Sequence, residues 1–254
     1  QQGAGAAQAG RDFVMTAPRV PGIGRVTTTS GIGVDVAGPG GAQFIAGRDI
    51  NLGTSVGIRS IGDFANPALA DSGADLTLIA GAGREPAWDV FADSYFDRHA
   101  SSLVLYDANG TRLPATRAGF AAQTLARRRE LALQMLFGEL RDAGVAASDP
   151  ASPRFDDYSA GFDAIATLFP GGYAGNIETA LSTVQTQDGG SINLAVPGGF
   201  VDAGLTSTAG LAGAGEFKEA IERGYIVFRT GSINAFVRDD FNVNSTRVFA
   251  QQGG

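Results

Sequence analysis

Short apolar or β-branched runs separated by glycine fill the first third of the chain and its last quarter: Phe13-Val14-Met15, Val26-Thr27-Thr28-Thr29, Ile32-Gly33-Val34-Asp35-Val36 and Phe44-Ile45. Each is three to six residues long with polar neighbours on alternate positions, the pattern of brief strands rather than helices. One block recurs. Ala46-Gly47-Arg48-Asp49-Ile50-Asn51-Leu52 echoes Ala9-Gly10-Arg11-Asp12-Phe13, and Ala74-Asp75-Leu76-Thr77-Leu78-Ile79-Ala80-Gly81 follows it. The same grammar returns as Gly190-Ser191-Ile192-Asn193-Leu194 and Gly231-Ser232-Ile233-Asn234-Ala235-Phe236, two copies 41 residues apart, or two turns of about 20 each. From Ile50 to Leu76 the interval is 26, so the period is loose, as when loops of varying length join the rungs of a coil. A right-handed parallel β-helix satisfies this grammar: the aliphatic residue of each step points inward, its polar neighbours point outward, and glycine serves the corners.

Between the two β regions the periodicity changes. Pro86 is placed for a first helical turn, and Trp88, Phe91, Ala92, Tyr95 and Phe96 then recur at three- and four-residue intervals. Leu103–Thr111 reads as a hairpin closed near Asn109-Gly110. A longer helix is predicted over about 121–143, burying Leu125, Leu133, Leu136, Phe137 and Leu140 and stopped by Gly144. A third, over about 156–169, presents Tyr158, Phe162, Ile165 and Phe169 before Pro170-Gly171-Gly172. The expected organisation is a first β-helix part at 1–83, with 1–10 mobile, a small α-helical subdomain inserted at 84–186, and a second β-helix part at 187–254. That second part includes a short helix near 215–223 carrying Phe217, Ala220 and Ile221 on one face. Loop-closure cost grows slowly with length, so a coil tolerates such an excursion at one corner.

Composition narrows the function classes. With 19 basic and 26 acidic side chains among 254 residues the net charge is -7, which excludes a generally basic nucleic-acid binder. Glycine, at 37 residues, is about twice as frequent as average, yet there is no collagen period and there are only 10 prolines, leaving a turn-dense β architecture. Cysteine is absent and histidine occurs once, so disulfides, thiolate zinc and cysteine nucleophiles are ruled out. No apolar run approaches the roughly 18 residues of a membrane span, so the chain is expected not to be transmembrane. It begins at Gln1 with no charged-then-apolar leader.

Several blocks together resemble one family. Gly231-Ser232-Ile233-Asn234-Ala235-Phe236-Val237-Arg238-Asp239-Asp240-Phe241-Asn242-Val243-Asn244-Ser245-Thr246-Arg247-Val248-Phe249 closely resembles the C-terminal-region domain of filamentous haemagglutinin family outer-membrane exoproteins. Ala46–Ser55, Leu133–Gly144, Ala164–Gly171 and Val196-Pro197-Gly198-Gly199 extend the likeness, in order, over most of the chain from about residue 40. The resemblance implies a very large secreted bacterial protein built as a β-helical rod. Such a rod is exported by two-partner secretion through an outer-membrane transporter barrel and displayed at the extracellular surface, where it adheres to host or neighbouring cells or their glycans, or forms biofilm matrix. It implies no enzyme, no cofactor and no transferable site residues. Two departures stand out: no amino-terminal secretion domain is present, and the chain stops at Gln251-Gln252-Gly253-Gly254, where the family pattern continues into another strand. A chain that starts and stops inside a coil also suggests an alternative, a subunit that self-associates end to end into an extracellular filament.

Each chemical motif has a plainer structural reading. Gly53-Thr54-Ser55-Val56-Gly57 matches a nucleophile-elbow pattern, but no helix pattern follows and the one available base, His99, sits in Asp97-Arg98-His99-Ala100, where a solvated helix end is expected. Gly22-Ile23-Gly24 and Gly38-Pro39-Gly40-Gly41 lack the helix and Gly-Lys-Ser/Thr of a phosphate loop. Asp239, Asp240, Asn242 and Asn244 present oxygens suited to calcium, with Phe241 and Val243 expected to point inward, against a plainer reading as a solvated or Asn-ladder face. Glu216, Glu219 and Glu222 are expected on the solvent face of the short helix, and Tyr173, Phe200 and Tyr225 form either an exposed glycan-binding strip or core packing. Arg127, Arg128 and Arg129 form the one basic cluster. A carbohydrate-active β-helix enzyme, hosted on this fold by analogy, completes the alternatives.

Overall fold

A computed structural model describes residues 3–15, 19–20, 24–25, 33–63, 67–69, 71–83, 85–107, 109–172, 174–205 and 222–253. The chain divides into two compact units. A helical unit comprises residues 85–171 together with 1 and 3–5, and a β unit comprises 2, 6–84 and 172–254.

The strands follow one another in five passes. The first contains β1 (Gly3–Ala9), β2 (Phe13–Val14), a small antiparallel hairpin β3 (Arg19–Val20) and β4 (Gly24–Arg25), and β5 (Gly33–Val36). The second contains β6 (Gly40–Ala46), β7 (Ile50–Asn51) and β8 (Gly57–Ser60). The third opens with β9 (Ala74–Ile79). After it come α1 (Trp88–His99), a 3-10 turn at Ala100–Ser102, β10 (Leu105–Tyr106), β11 (Arg112–Leu113), α2 (Arg117–Ala121), α3 (Leu125–Ser148) and α4 (Ser159–Leu168). The pass resumes with β12 (Ile177–Glu178) and β13 (Thr183–Thr186). The fourth contains β14 (Ile192–Val196), β15 (Val201–Asp202) and β16 (Gly224–Thr230), and the fifth β17 (Ile233–Val237), β18 (Phe241–Asn242) and β19 (Arg247–Gln252).

Every pass contributes one strand to each of three five-stranded parallel sheets, ordered β1-β6-β9-β14-β17, β2-β7-β12-β15-β18 and β5-β8-β13-β16-β19. The molecule is therefore mainly β, with an arrangement compatible with the expected solenoid. Strand pleating sends alternate residues inward, and the registers stack like on like: Phe13, Ile50, Ile177, Val201 and Phe241 align across the second sheet. In the first, Phe44, Leu78 and Leu194 align, and in the third, Ile58, Val184 and Tyr225. These residues form a single core in which Ile50, Leu78, Ile177, Leu194 and Tyr225 are fully buried. Ile192 pairs with Ile233 and Asn193 with Asn234, so the 41-residue repeat is a structural register; Phe13 likewise sits on Ile50.

Several expectations are corrected. Residues 3–9, expected to be mobile, form β1 despite the low strand preference of Gly and Ala, because the strand is added to the first sheet beside β6 and its Ala7 packs on the core. Leu76 is not a copy of Ile50: it lies in the first sheet beside Ala42 and Ile192, whereas Ile50 pairs with Ile177, 127 positions away. The helical unit ends at Gly171 rather than 186, because Ile177 and Thr183–Thr186 carry β-type alternation and complete the third pass. The short helix expected near 215–223 falls on 206–221, outside the described residues, apart from its last two positions.

Within the helical unit, α1 buries Phe91, Ala92, Tyr95 and Phe96, the face its periodicity predicts. The β10–β11 hairpin closes where Asn109-Gly110 indicates, with Asp107 Oδ1 accepting the N–H groups of Asn109 and Thr111, each at 2.8 Å. The helix predicted over about 121–143 is α3, displaced four or five residues along the chain, with the short α2 ending where it was expected to begin. Thr124 accepts the Arg127 N–H at 3.3 Å and starts α3 afresh, leaving Leu125 exposed at the helix entrance. α3 runs through Gly144 to Ser148, because Ala143 and Ala147 on either side are buried and hold the next turn. α4 buries Ile165, with Phe169 following it into the interior, while Tyr158 is exposed. No helix among the described residues is long and apolar enough to cross a membrane.

Candidate functional site

The inward column of the second sheet fixes what faces out. Each residue after an inward one projects to the opposite side, so Val14, Asn51, Glu178, Asp202 and Asn242 form an outward column, one residue per pass. Four of the five are polar, and amide and carboxylate interlock along it. Asn51 Nδ2 donates to Glu178 Oε2 at 2.5 Å, and Asn242 Nδ2 donates to Asp202 Oδ1 at 2.9 Å. Asn244 Nδ2 reaches the same Asp202 oxygen at 3.5 Å and the Gly204 carbonyl at 3.4 Å. At one flank Asp49 Oδ1 accepts the Asn176 N–H at 2.9 Å, and beyond it Arg48 grips Asp12 with two bonds of 3.0 and 2.8 Å. That fork holds the Asp12 carboxyl below the usual range.

Glu178 and Asp202 are register neighbours on adjacent parallel strands, where like charges repel. Partial burial pushes the Glu178 carboxyl up, and the charges of Asp49 and Asp202 push it further in the same direction. The column thus places a carboxyl raised by burial and by its acidic neighbours beside an aspartate that accepts from two amides. Chemically this strip can accept and donate hydrogen bonds to a hydroxyl-rich surface, and its carboxyl pair is of the kind used for general acid and base work. Sequence reasoning passed over Glu178 and Asp202. The signal was present in the polar position following each inward Ile177 and Val201, but the helical unit hides the repeat linking Asn51 to Glu178.

The sequence-derived candidates fall as follows. Asn242 and Asn244 act as donors to Asp202, which aligns with the ladder reading; Asn234 Nδ2 likewise bonds Asn193 Oδ1 at 2.9 Å. Asp239 and Asp240 are exposed, and Val243 faces solvent rather than inward because β18 ends at Asn242. Among the described residues, no three imidazole, thiol or carboxylate groups converge on a point that would hold a metal. Ser55 is buried at a corner, its hydroxyl 3.0 Å from that of Ser182, and strand β8 rather than a helix follows at Gly57. His99 is not at a solvated end. It belongs to the helical unit and is buried there, with Nε2 2.9 Å from Glu139 Oε1, while Arg98 holds both Glu139 oxygens at 3.0 Å. Gly138 accounts for this placement: a Cβ there would lie 2.9 Å from two atoms of the imidazole ring.

Of the aromatic strip, Tyr225 is core, donating no glycan surface; its hydroxyl accepts from Thr179 Oγ1 at 2.7 Å, and complete burial pushes its phenol far up. Tyr173 lies outside the described residues, as do Gly22 and Ile23 of the first glycine motif and Glu216 and Glu219. Gly40 and Gly41 of the second motif open strand β6 rather than a helix. The arginine cluster is largely spoken for: Arg127 pairs with Glu130 at 2.6 Å, Arg128 with Asp89 at 3.2 Å, and Arg129 lies 5.6 Å over the Trp88 ring. No known protein family, characterised protein or solved structure matches the chain.

Proposed function

We propose that the β unit is a right-handed parallel β-helix and that the chain is a structural and adhesive segment of a secreted bacterial surface protein. The observation that carries this reading is the fivefold, in-register return of the chain through the same three sheets. Each pass sends apolar residues inward from its strands onto those of the pass before, and such repetition builds length rather than a single pocket. The hand follows from the near-universal right-handedness of parallel crossovers. An outward amide–carboxylate strip repeating at about 4.8 Å suits contact with an extended, hydroxyl-rich surface. The resemblance to filamentous haemagglutinin exoproteins points the same way, with export through an outer-membrane barrel and an extracellular or outer-membrane-associated location.

The test uses intact source cells. External protease is expected to remove the protein, and antibody fragments against it are expected to lower attachment to cells or abiotic surfaces. Complete protection inside cells refutes the reading. A second reading, carbohydrate-active catalysis, draws on the Glu178–Asp202 neighbours. Release of reducing ends from bacterial or host polysaccharide that Glu178→Gln abolishes would favour it over adhesion.

A further inference from the structure

The helical unit carries a cavity of about 250 Å³ whose lining is both apolar and charged. α1 supplies Asp89, Ala92, Asp93 and Phe96, which share one helix face by their three- and four-residue spacing. α2 adds Arg117 and Phe120, and Arg128 enters from the first turn of α3. The apolar part of the lining is firmly packed: Ala92, Phe96 and Phe120 are buried, and the two rings meet edge to face at 5.6 Å. The volume lies just under the roughly 300–1,000 Å³ of drug-sized sites, which limits the occupant to one small molecule.

The two guanidinium groups differ in their remaining donors. Arg117 lies 5.6 Å over the Phe96 ring and is fully engaged. Its Nε and Nη2 hold Asp97 at 3.2 and 2.8 Å, Nη2 also donates to the Asp93 carbonyl at 3.0 Å, and Nη1 reaches Asp93 Oδ1 at 3.5 Å. Arg128 makes one hydrogen bond among the described residues, from Nη1 to Asp89 Oδ1 at 3.2 Å, and its Nε is buried without an acceptor. A guanidinium has five N–H donors, and a fork so little occupied can take a carboxylate through two parallel bonds. Asp89 and Asp93 are exposed, and each side chain accepts only one long bond from an arginine, which leaves acceptor capacity on both. An anion alone would face two aspartates, and a cation alone would leave Arg128 without an acceptor. A small molecule with both charges at one end of an apolar body meets every group.

We propose that this cavity binds a free α-amino acid with an apolar side chain. The ligand carboxylate takes the open donors of Arg128, its ammonium takes Asp89 and Asp93, and its side chain lies on Ala92, Phe96 and Phe120. The formal charges of the two lining guanidinium groups and two lining carboxylates cancel, which suits a ligand with two poles and no net charge. The site lies wholly within the helical unit and is independent of the adhesive reading.

Isothermal titration calorimetry of the full chain with four probes tests this. L-Phenylalanine is expected to bind saturably, one per chain, and to shift the NMR methyl signals of Ala92 and Ala121, which both line the cavity. 3-Phenylpropanoate lacks the ammonium, phenethylamine the carboxylate and glycine the apolar body, and each is expected to bind at least about tenfold more weakly. Arg128→Gln is expected to weaken phenylalanine binding by at least about tenfold while its melting temperature stays within about 3 °C of the unsubstituted chain, because the one bond lost is to an exposed aspartate. The probe series on the unsubstituted chain stands whatever that variant does. Absence of saturable heat and of methyl shifts with phenylalanine at about 10 mM overturns the proposal. So does phenylpropanoate or phenethylamine binding as tightly as phenylalanine, which would mean a simple anion or cation site. Unchanged affinity in Arg128→Gln overturns it too, by placing the ligand away from this guanidinium.

Discussion

Leu194→Ala tests the stacked core where it is most constrained. Leu194 is fully buried in β14, flanked in register by Leu78 of β9 and Ala235 of β17, with Ile192 and Val196 of its own strand also in the core. Truncation removes three carbons from a position whose backbone is bonded on both sides, at a strand spacing of about 4.8 Å that neighbours cannot close up. Cavity-forming Leu→Ala changes cost about 2.7–5.0 kcal/mol, and a site unable to relax falls in the upper part, about 3–5 kcal/mol. For a chain of this size that is a melting-temperature drop of about 6–20 °C. The matched control is Val243→Ala, at a side chain 54% exposed, with an expected change of no more than about 0.5 kcal/mol. Urea unfolding followed by far-ultraviolet circular dichroism in the strand band gives both values at fixed pH, with an unchanged denaturant slope as the check that the unfolded reference is the same. A Leu194→Ala loss below about 1.5 kcal/mol, or one equal to that of Val243→Ala, would refute a core of residues stacked pass upon pass.

Two further outcomes follow from specific contacts. Gly57→Ala is expected to abolish or severely reduce folded yield, because φ is +103° there and the new Cβ would collide with the Thr183 carbonyl and stand 2.7 Å from its nitrogen; a melting temperature within 2 °C, by ~1 kcal/mol equivalence, would contradict the tight pass-to-pass contact. Glu178→Gln bears on the outward column. Burial first, then Asp49 and Asp202, raise the Glu178 carboxyl in the fold, so its stabilising contribution is present at acid pH and lost as pH rises through its folded midpoint. The variant is therefore expected to gain on the unsubstituted chain in differential scanning fluorimetry between pH 4 and 7, and a constant offset would remove the proposed charge crowding.

The repeat grammar was legible where copies lie within one uninterrupted stretch. Phe13 and Ile50, or Ile192 and Ile233, carry the same flanking residues and stack in the structure as their spacing implies. It failed at Ile50 and Leu76, which share a local pattern but occupy different sheets, because an Asp-aliphatic step reads the same on any face. Helices were legible from their apolar stripes, their ends less so: Thr124 and Gly144 each send a local signal that neighbouring burial upholds in one case and overrides in the other. The polar sites were hidden for a different reason. Glu178 meets Asn51 across 127 positions, and Asp188 meets Arg229 across a corner, so neither pairing leaves a trace in local periodicity. His99 does end α1, but it looked like a solvated end because nothing nearby in sequence announces Glu139.

The excursion at residues 85–171 leaves after β9 and returns before β12, yet interrupts no sheet: β9 still pairs with β6 and β14, and β12 with β7 and β15. Under tension this makes it hidden length. The third pass transmits load through its ladders to the passes on either side, shielding the excursion until those ladders part. When they do, the excursion feeds out about 300 Å of additional chain at roughly 3.4 Å per residue. A tether containing such a segment would yield in one long step and absorb work as it did so, rather than snap.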